Sequence, residues 1–346
     1  MELMERADVA SMLKPGFRVT LKPNLVVGRP ADGGATTHPE ILEGIILFLW
    51  KHGIGDITIA EGSWVGADTV RAFETCGYAA LVKKYGVKLV DTKRDKVITV
   101  KGSRSGDVKI CESAVNKDFL INAPVLKGHC QTAMTCCLKN LKGLIPDSEK
   151  RRYHSAGLSR PIAELGAAVK PNLHIIDSIC GDLDFEEGGN PVDSNRIILG
   201  FDQVQLDSYC APLMGYSPDD IGYLPLAKEY GAGVYFNPAK DRVIELNADS
   251  KPREKRTHSA GARRFTPMIE EDGACSACYA ALVHALRQTG GIRSKIKIGQ
   301  GYAGKKPGGI GSGNCTSGCE AFVKGCPPTA LEIAEFLRTR AKYTHT

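Results

Sequence analysis

Five cysteines crowd the last quarter of the chain: Cys275, Cys278, Cys315, Cys319 and Cys326. Thiolates are soft metal ligands, and Cys275-Ser-Ala-Cys278 can hand two of them to one centre from a single turn. At the start of a helix, the free amides and dipole would also favour the thiolate form. The other half reads Cys-x3-Cys-x6-Cys-Pro-Pro, with a run of glycines from Gly299 to Gly313 that lets backbone approach a bulky group. A zinc ribbon would want two Cys-x-x-Cys knuckles about 15–20 residues apart, and five cysteines cannot all pair as disulfides. The pattern therefore predicts an iron–sulfur cluster of the [4Fe-4S] type held by Cys275, Cys278, Cys315 and Cys326, with Cys319 as the alternate. Crowding between two other ligands in a short loop makes Cys319 the redundant one. The bacterial-ferredoxin run Cys-x2-Cys-x2-Cys-x3-Cys is absent.

A second group gathers cations. Lys127, His129, Lys139 and Lys142 lie around a glycine turn, with Asn140 among them, an arrangement suited to a carboxylate or phosphate. His129, with an unperturbed pKa of about 6.5, is the natural proton partner beside Lys127, and these two are the expected catalytic pair. Lys22, Asn24, His38, Lys139 and Asn140 are expected to bind the substrate. Two further features carry bland readings. Cys136-Cys137 reads as core, since free cysteine is among the most buried residues. Glu186-Glu187-Gly-Gly-Asn190-Pro reads as a cation loop or, equally well, a surface turn. No dinucleotide fingerprint opens a helix after a strand.

These residues need a scaffold, and from Phe17 to about Ala232 β-rich runs alternate with helical periodicity. That alternation predicts a mostly parallel sheet covered by helices. Strands are expected at 18–21, 56–60, 87–90, 119–122, 174–177 and 196–201, with a hairpin over 97–100 and 108–110. Helices are expected at 70–76, 79–85, 132–141, 162–169 and 204–214, and another from Thr37, where Thr37-x-x-Glu40 reads as a capping box. Lys22, Asn24, Glu61 and Asn122 then fall at strand ends, where open α/β sheets bind ligands. The fold class is α/β, with a small C-terminal cysteine-rich α/β iron–sulfur module built from a helix after Cys275, a strand at 295–299 and a last helix at 330–341.

Residues 1–246 form the expected α/β domain, 247–270 a basic, apolar-poor linker, and 271–346 the cluster module. The chain of 346 residues carries a net charge of +6, too modest for a nucleic-acid binder, and its longest apolar run is far too short to span a bilayer. Twelve cysteines without a disulfide framework place it in the reducing cytoplasm.

In order along the chain come Lys22-Pro-Asn24-Leu, Thr36-Thr-His38-Pro-Glu40, Glu61-Gly-Ser63, Cys76-Gly-Tyr78, Lys127-x-His129, Leu138-Lys-Asn140-Leu-x-Gly143-Leu-Ile-Pro146 and Ile176-Asp177. On these segments residues 17 to 235 resemble the iron–sulfur-associated family catalogued as domain of unknown function number 362. Many of its relatives carry a ferredoxin-like insertion or tail, where this chain has its Gly-Cys-Pro-Pro module. That motif looks like the proximal-cluster site of respiratory complex I and hydrogenase small subunits. The resemblance implies a fold and a cluster and names no reaction. Three functions compete: a redox enzyme acting on a small anionic substrate, an electron carrier or cluster-bearing partner subunit, and a sensing module with a structural cluster. The expected partners are a small anionic substrate or a redox partner protein, with neither nucleic acid nor membrane; a homo-oligomer is compatible with the composition.

Overall fold

The computed structural model describes residues 1–102, 104, 106–246, 263–292 and 294–341. Strands β1 (Arg18–Pro23), β2 (Asp56–Glu61) and β3 (Lys88–Asp91) are followed by the hairpin β4 (Val97–Val100) and β5 (Val108–Cys111). Then come β6 (Phe119–Ala123), a second hairpin of β7 (Lys127–His129) and β8 (Ala133–Thr135), and the long β9 (Leu173–Asp182) and β10 (Pro191–Gly200). Six of them form one sheet in the order β10-β9-β6-β1-β2-β3, parallel throughout except for antiparallel β10 against β9. This is the α/β fold expected from the alternation.

Side chains alternate across the sheet as a doubly covered sheet requires. Val19, Leu21, Ile57, Ile59, Phe119 and Ile121 face the helix Pro39–Lys51 and its neighbours. Ala60, Leu120 and Ile176 face the helices Ser159–Ala168, Gln203–Leu213 and Leu224–Glu229. The chain winds outward from β1 through β2 to β3, then returns to the other side of β1 with β6. The strand order therefore reverses between β1 and β6, and the carboxyl ends of these strands frame the crevice where such sheets bind ligands.

The second unit is a four-stranded parallel sheet of β11 (Ile269–Glu271), β12 (Ile296–Ile298), β13 (Ile310–Ser312) and β14 (Ala321–Val323), in that order. Helices Ser276–Thr289 and Ala330–Ala341 cover it, with Leu282, Leu286, Ile296, Ile298, Ile333 and Leu337 as its core. Of the stretch read as a linker, residues 247–262 lie outside the described residues. Arg263–Met268 form a 3-10 helix and Ile269 begins β11, so those residues take the module's structure.

Two local expectations need correction. Residues 132–141 are not one helix: β7 and β8 pair as an antiparallel hairpin, and only Cys137–Asn140 are helical. Ala133 adopts a φ of +65°, a left-handed turn that no apolar periodicity signals. Thr37 does not close a capping box either. Its hydroxyl donates to the Ala123 carbonyl (2.7 Å) and accepts from the Asn24 amide (2.8 Å), and the helix opens one residue later with Pro39 in its first turn. Thr37 thus ties the end of β1 to the end of β6.

Candidate functional site

Beyond the ends of β1 and β2 lies a cavity of about 80 Å³. Asn24, Glu61, Lys139, Asn140, Lys142, Lys150, His154 and Glu186 line it from the α/β domain, Trp64 and Val65 give it an apolar side, and Cys275, Ser276 and Ala277 close it from the module. The crevice and the first cysteine of the candidate cluster site therefore share a wall.

The hairpin explains the convergence. By folding back, β7–β8 returns the chain so that Lys139 and Asn140 meet the ends of β1 and β6. Asn140 Nδ2 donates to the Lys22 and Pro23 carbonyls (3.3 Å each) and to Asn122 Oδ1 (2.8 Å), while its Oδ1 accepts from Asn24 Nδ2 (3.0 Å). Lys22, fully buried, pairs with Glu61. Gly143 passes directly over that pair, and a Cβ there would collide with the Glu61 carboxylate and the Lys22 ammonium group.

Glu186 is the hub of the other side. Its carboxylate accepts from Lys139 Nζ and from His129 Nε2, both at 2.9 Å. His129 Nδ1 faces the amides of Gln131 and Thr132 at 3.1 Å, so it accepts, and the proton sits on Nε2, aimed at Glu186. Burial drives the His129 pKa down to about 4, and the ring is neutral at physiological pH. Burial alone would raise the Glu186 carboxyl, but His129, Lys139 and Lys127 outweigh it and hold the group well below the carboxylate range. Lys127 is wholly enclosed, donating to the carbonyls of Ala35 and Glu186 and to Asn24 Oδ1, and burial brings it to about 7. Lys142 is also brought to about 7 by burial, with Lys139 repelling it; its nearest polar partner is His154 Nε2 at 3.3 Å.

The structure therefore brings together six of the seven crevice residues singled out in the sequence. Asn24, Lys139 and Asn140 line the cavity, while Lys22, Lys127 and His129 stand one layer behind. His38 is elsewhere, its Nδ1 2.7 Å from the buried carboxylate of Asp177. Glu186 is a member that the sequence does not single out: its Gly-Gly loop reads equally as a cation loop or a surface turn, and the burial of Glu186 and Glu187 rules out the surface turn for these two side chains. Glu187 is held by His284 of the module at 2.7 Å, and Phe185 stacks on that imidazole at 3.8 Å.

Across the shared wall, Cys275 caps the helix Ser276–Thr289 and Cys278 lies in its first turn. Cys275 and Cys278 each sense Cys315 and Cys326 electrostatically, whereas Cys319 senses Lys297, Glu270 and Glu320 instead. Cys275, Cys278, Cys315 and Cys326 are thus close enough to influence one another, whereas the Cys319 sulfur packs against Gly311. Their helix position does not ionise them: burial, then neighbouring thiols, push Cys278 up to about 12 and Cys275 in the same direction. No three of the four sulfurs lie within 4.8 Å of one another. One tetrahedral zinc, with bonds of about 2.3 Å, needs sulfur separations of about 3.8 Å. The four thiols are thus set wider apart than the ligands of one tetrahedral ion.

Acid should weaken the fold through His174, fully buried beneath the crevice with Nδ1 3.1 Å from Asn122 Nδ2. Burial takes its pKa to about 3. Between pH of about 6.5 and 3 the unfolded chain holds the proton and the folded chain does not, so stability is full above about 6.5 and drains away as pH falls. Urea midpoints should drop on acidification, with a slope of about 1.4 kcal/mol per pH unit from this residue. His174→Gln should lose that part of the slope, and an unchanged slope would contradict the account.

A protein-family profile described as "Domain of unknown function (DUF362)" matches residues 19–212. The chain is 28% identical over 246 residues to Thylakoid-associated protein sll1697 of Synechocystis sp., covering 64% of this chain and 73% of that one. Among solved structures it is similar to the lactate racemase apoprotein of Thermoanaerobacterium thermosaccharolyticum, with a TM-score of 0.36 and 16% identity over 56% of this chain. The match spans 47% of that racemase's length. Among the described residues no helix is long and apolar enough to cross a membrane.

Proposed function

The chain belongs to the DUF362 family, and from that premise we propose that it is an iron–sulfur redox enzyme acting on a small anionic substrate held in the crevice. The observation that carries the reading is the shared wall: Cys275, Ser276 and Ala277 line the same cavity as Lys139, Lys142, Lys150 and His154. When bound, the cluster supplies single electrons. The protein's own groups supply charge and protons. Lys22 pairs with Glu61, Lys139 with Glu186 and Lys150 with Asp147 (3.4 Å), whereas Lys142, in the cavity wall, makes no ion pair among the described residues. Uncompensated buried cations are costly, and an anion in the cavity would relieve them. Trp64 and Val65 offer an apolar surface to the remainder of the ligand. His154 Nε2 lies 3.3 Å from both Lys142 Nζ and Ser276 Oγ, so this trio can pass a proton along the wall beneath the cysteine loop.

Cys326 is exposed while the other three ligands are half-buried, which gives a redox partner protein a face at which to deliver electrons. All twelve cysteines are free, in keeping with a reducing compartment such as the cytoplasm.

Two measurements test this. Anaerobically purified protein should contain about four irons with matching sulfide; colourless protein holding zinc alone would refute it. Calorimetry with inorganic phosphate and a set of small mono- and dicarboxylates should find at least one that binds. Lys142→Ala should weaken that binding by about ten- to a hundredfold, the worth of one charge-assisted hydrogen bond. Binding unchanged in Lys142→Ala would remove the crevice from the account and leave an electron carrier.

A further inference from the structure

We propose a second metal site, separate from the C-terminal cysteines, in which Cys136, Cys137, Cys210 and Asp207 hold one structural zinc-type divalent cation in the core of the α/β domain. The ligand atoms of Cys136, Cys137 and Asp207 all lie within 4.8 Å of one another, and the two sulfurs are 4.0 Å apart. That is close to the sulfur separation of about 3.8 Å demanded by tetrahedral zinc. Cys210 stands one turn beyond Asp207 on the helix Gln203–Leu213, beside Cys136; it lies outside the 4.8 Å trio, so the metal would draw its thiol in as the fourth ligand. All four residues are fully buried.

Asp207 is the unusual member. A carboxyl in an apolar core normally has a cation beside it, yet among the described residues Asp207 makes no ion pair. Its two oxygens accept from the amides of Cys137 (2.7 Å) and Leu138 (3.2 Å), which fixes its plane and leaves lone pairs toward the thiols. Capping the short turn Cys137–Asn140 would need the carboxylate and no cysteine. Three sulfurs and one oxygen are instead a zinc donor set, and four protein ligands close the shell, as structural sites do. Loading displaces protons from the thiols and the carboxyl, whose combined negative charge more than meets that of the cation. Such a metal would clamp the helix Gln203–Leu213 to the segment that delivers Lys139, Asn140 and Lys142 to the crevice.

The test counts zinc beside iron by mass spectrometry in the full-length protein, and again after Cys315→Ser and Cys326→Ser have removed the iron. We expect one zinc per chain to remain. Cobalt(II) supplied in its place should give thiolate charge-transfer and intense tetrahedral d–d bands, and dipicolinate should lower the Tm. In the same background Cys210→Val, close in size, should lose zinc and show a Tm that no longer responds to dipicolinate. A folded parent that keeps neither zinc nor cobalt overturns the proposal, as does metal retained in a Cys210→Val, Asp207→Asn chain. If Cys210→Val fails to fold, the stoichiometry and cobalt spectrum of the parent decide.

Discussion

Cys278→Ala is expected to strip the anaerobically purified protein of its iron, from about four per chain to about none, whereas Cys319→Ala should leave iron unchanged. The contrast follows from where the two thiols lie. Burial, and then the neighbouring thiols of Cys275, Cys326 and Cys315, push the Cys278 pKa up to about 12. Such a site is unfavourable for free thiolates and is rescued by bound iron, which inverts the local preference for protonation. Cys319 is directed toward Gly311 and the Lys297 side chain, away from that group. Its loss removes only a small buried side chain, worth about 1–2 kcal/mol of stability. Metal binding is folding free energy for a unit this small, so Cys278→Ala should also make the module sensitive to proteases. Iron lost equally from both variants would mean that the four-thiol grouping is wrong.

Glu186→Gln should destabilise the protein by about 3–5 kcal/mol, the usual cost of leaving a buried ion network without one partner. Lys139 loses its counter-charge, and His129 Nε2–H loses its carboxylate acceptor. The variant carries a diagnostic second effect: its cavity is more positive, so phosphate should raise its Tm by more than it raises that of the parent protein. A loss below about 1 kcal/mol, as for an exposed pair, would show that Glu186 is not the hub. Equal phosphate shifts in the two proteins would show that the cavity does not bind anions through its charge.

The sheet was legible because strands buried on both faces are short β-rich runs set between stretches of helical periodicity, as in Arg18–Pro23 and Phe119–Ala123. The chemical character of the site was legible too, since Lys22, Asn24 and Asn140 lie at strand ends or beside a turn whatever the packing. Three features were not. The hairpin over residues 127–135 hinges on Ala133 in a left-handed conformation, and the apolar run Met134 to Leu141 hides it behind helical periodicity. Glu186 meets His129 and Lys139 across 57 and 47 residues of sequence, and its neighbour Glu187 is held by His284 of the module 97 residues away, contacts invisible to local pattern. His38 carries the right chemistry at the right strand end, but Asp177 captures it. The shared wall is likewise a product of docking: Gln131 Nε2 reaches Glu271 (2.6 Å), and a Cβ at Gly66 would lie 3.5 Å from the Cys326 carbonyl.

The central claim is that cluster and crevice work as one site, and electron paramagnetic resonance of the dithionite-reduced protein tests it most directly. The account predicts the signal of a reduced iron–sulfur cluster, with g-values that shift when a crevice-binding phosphate or carboxylate is added and do not shift in Lys142→Ala. No cluster signal, or a signal indifferent to every anion that calorimetry shows to bind, would contradict it.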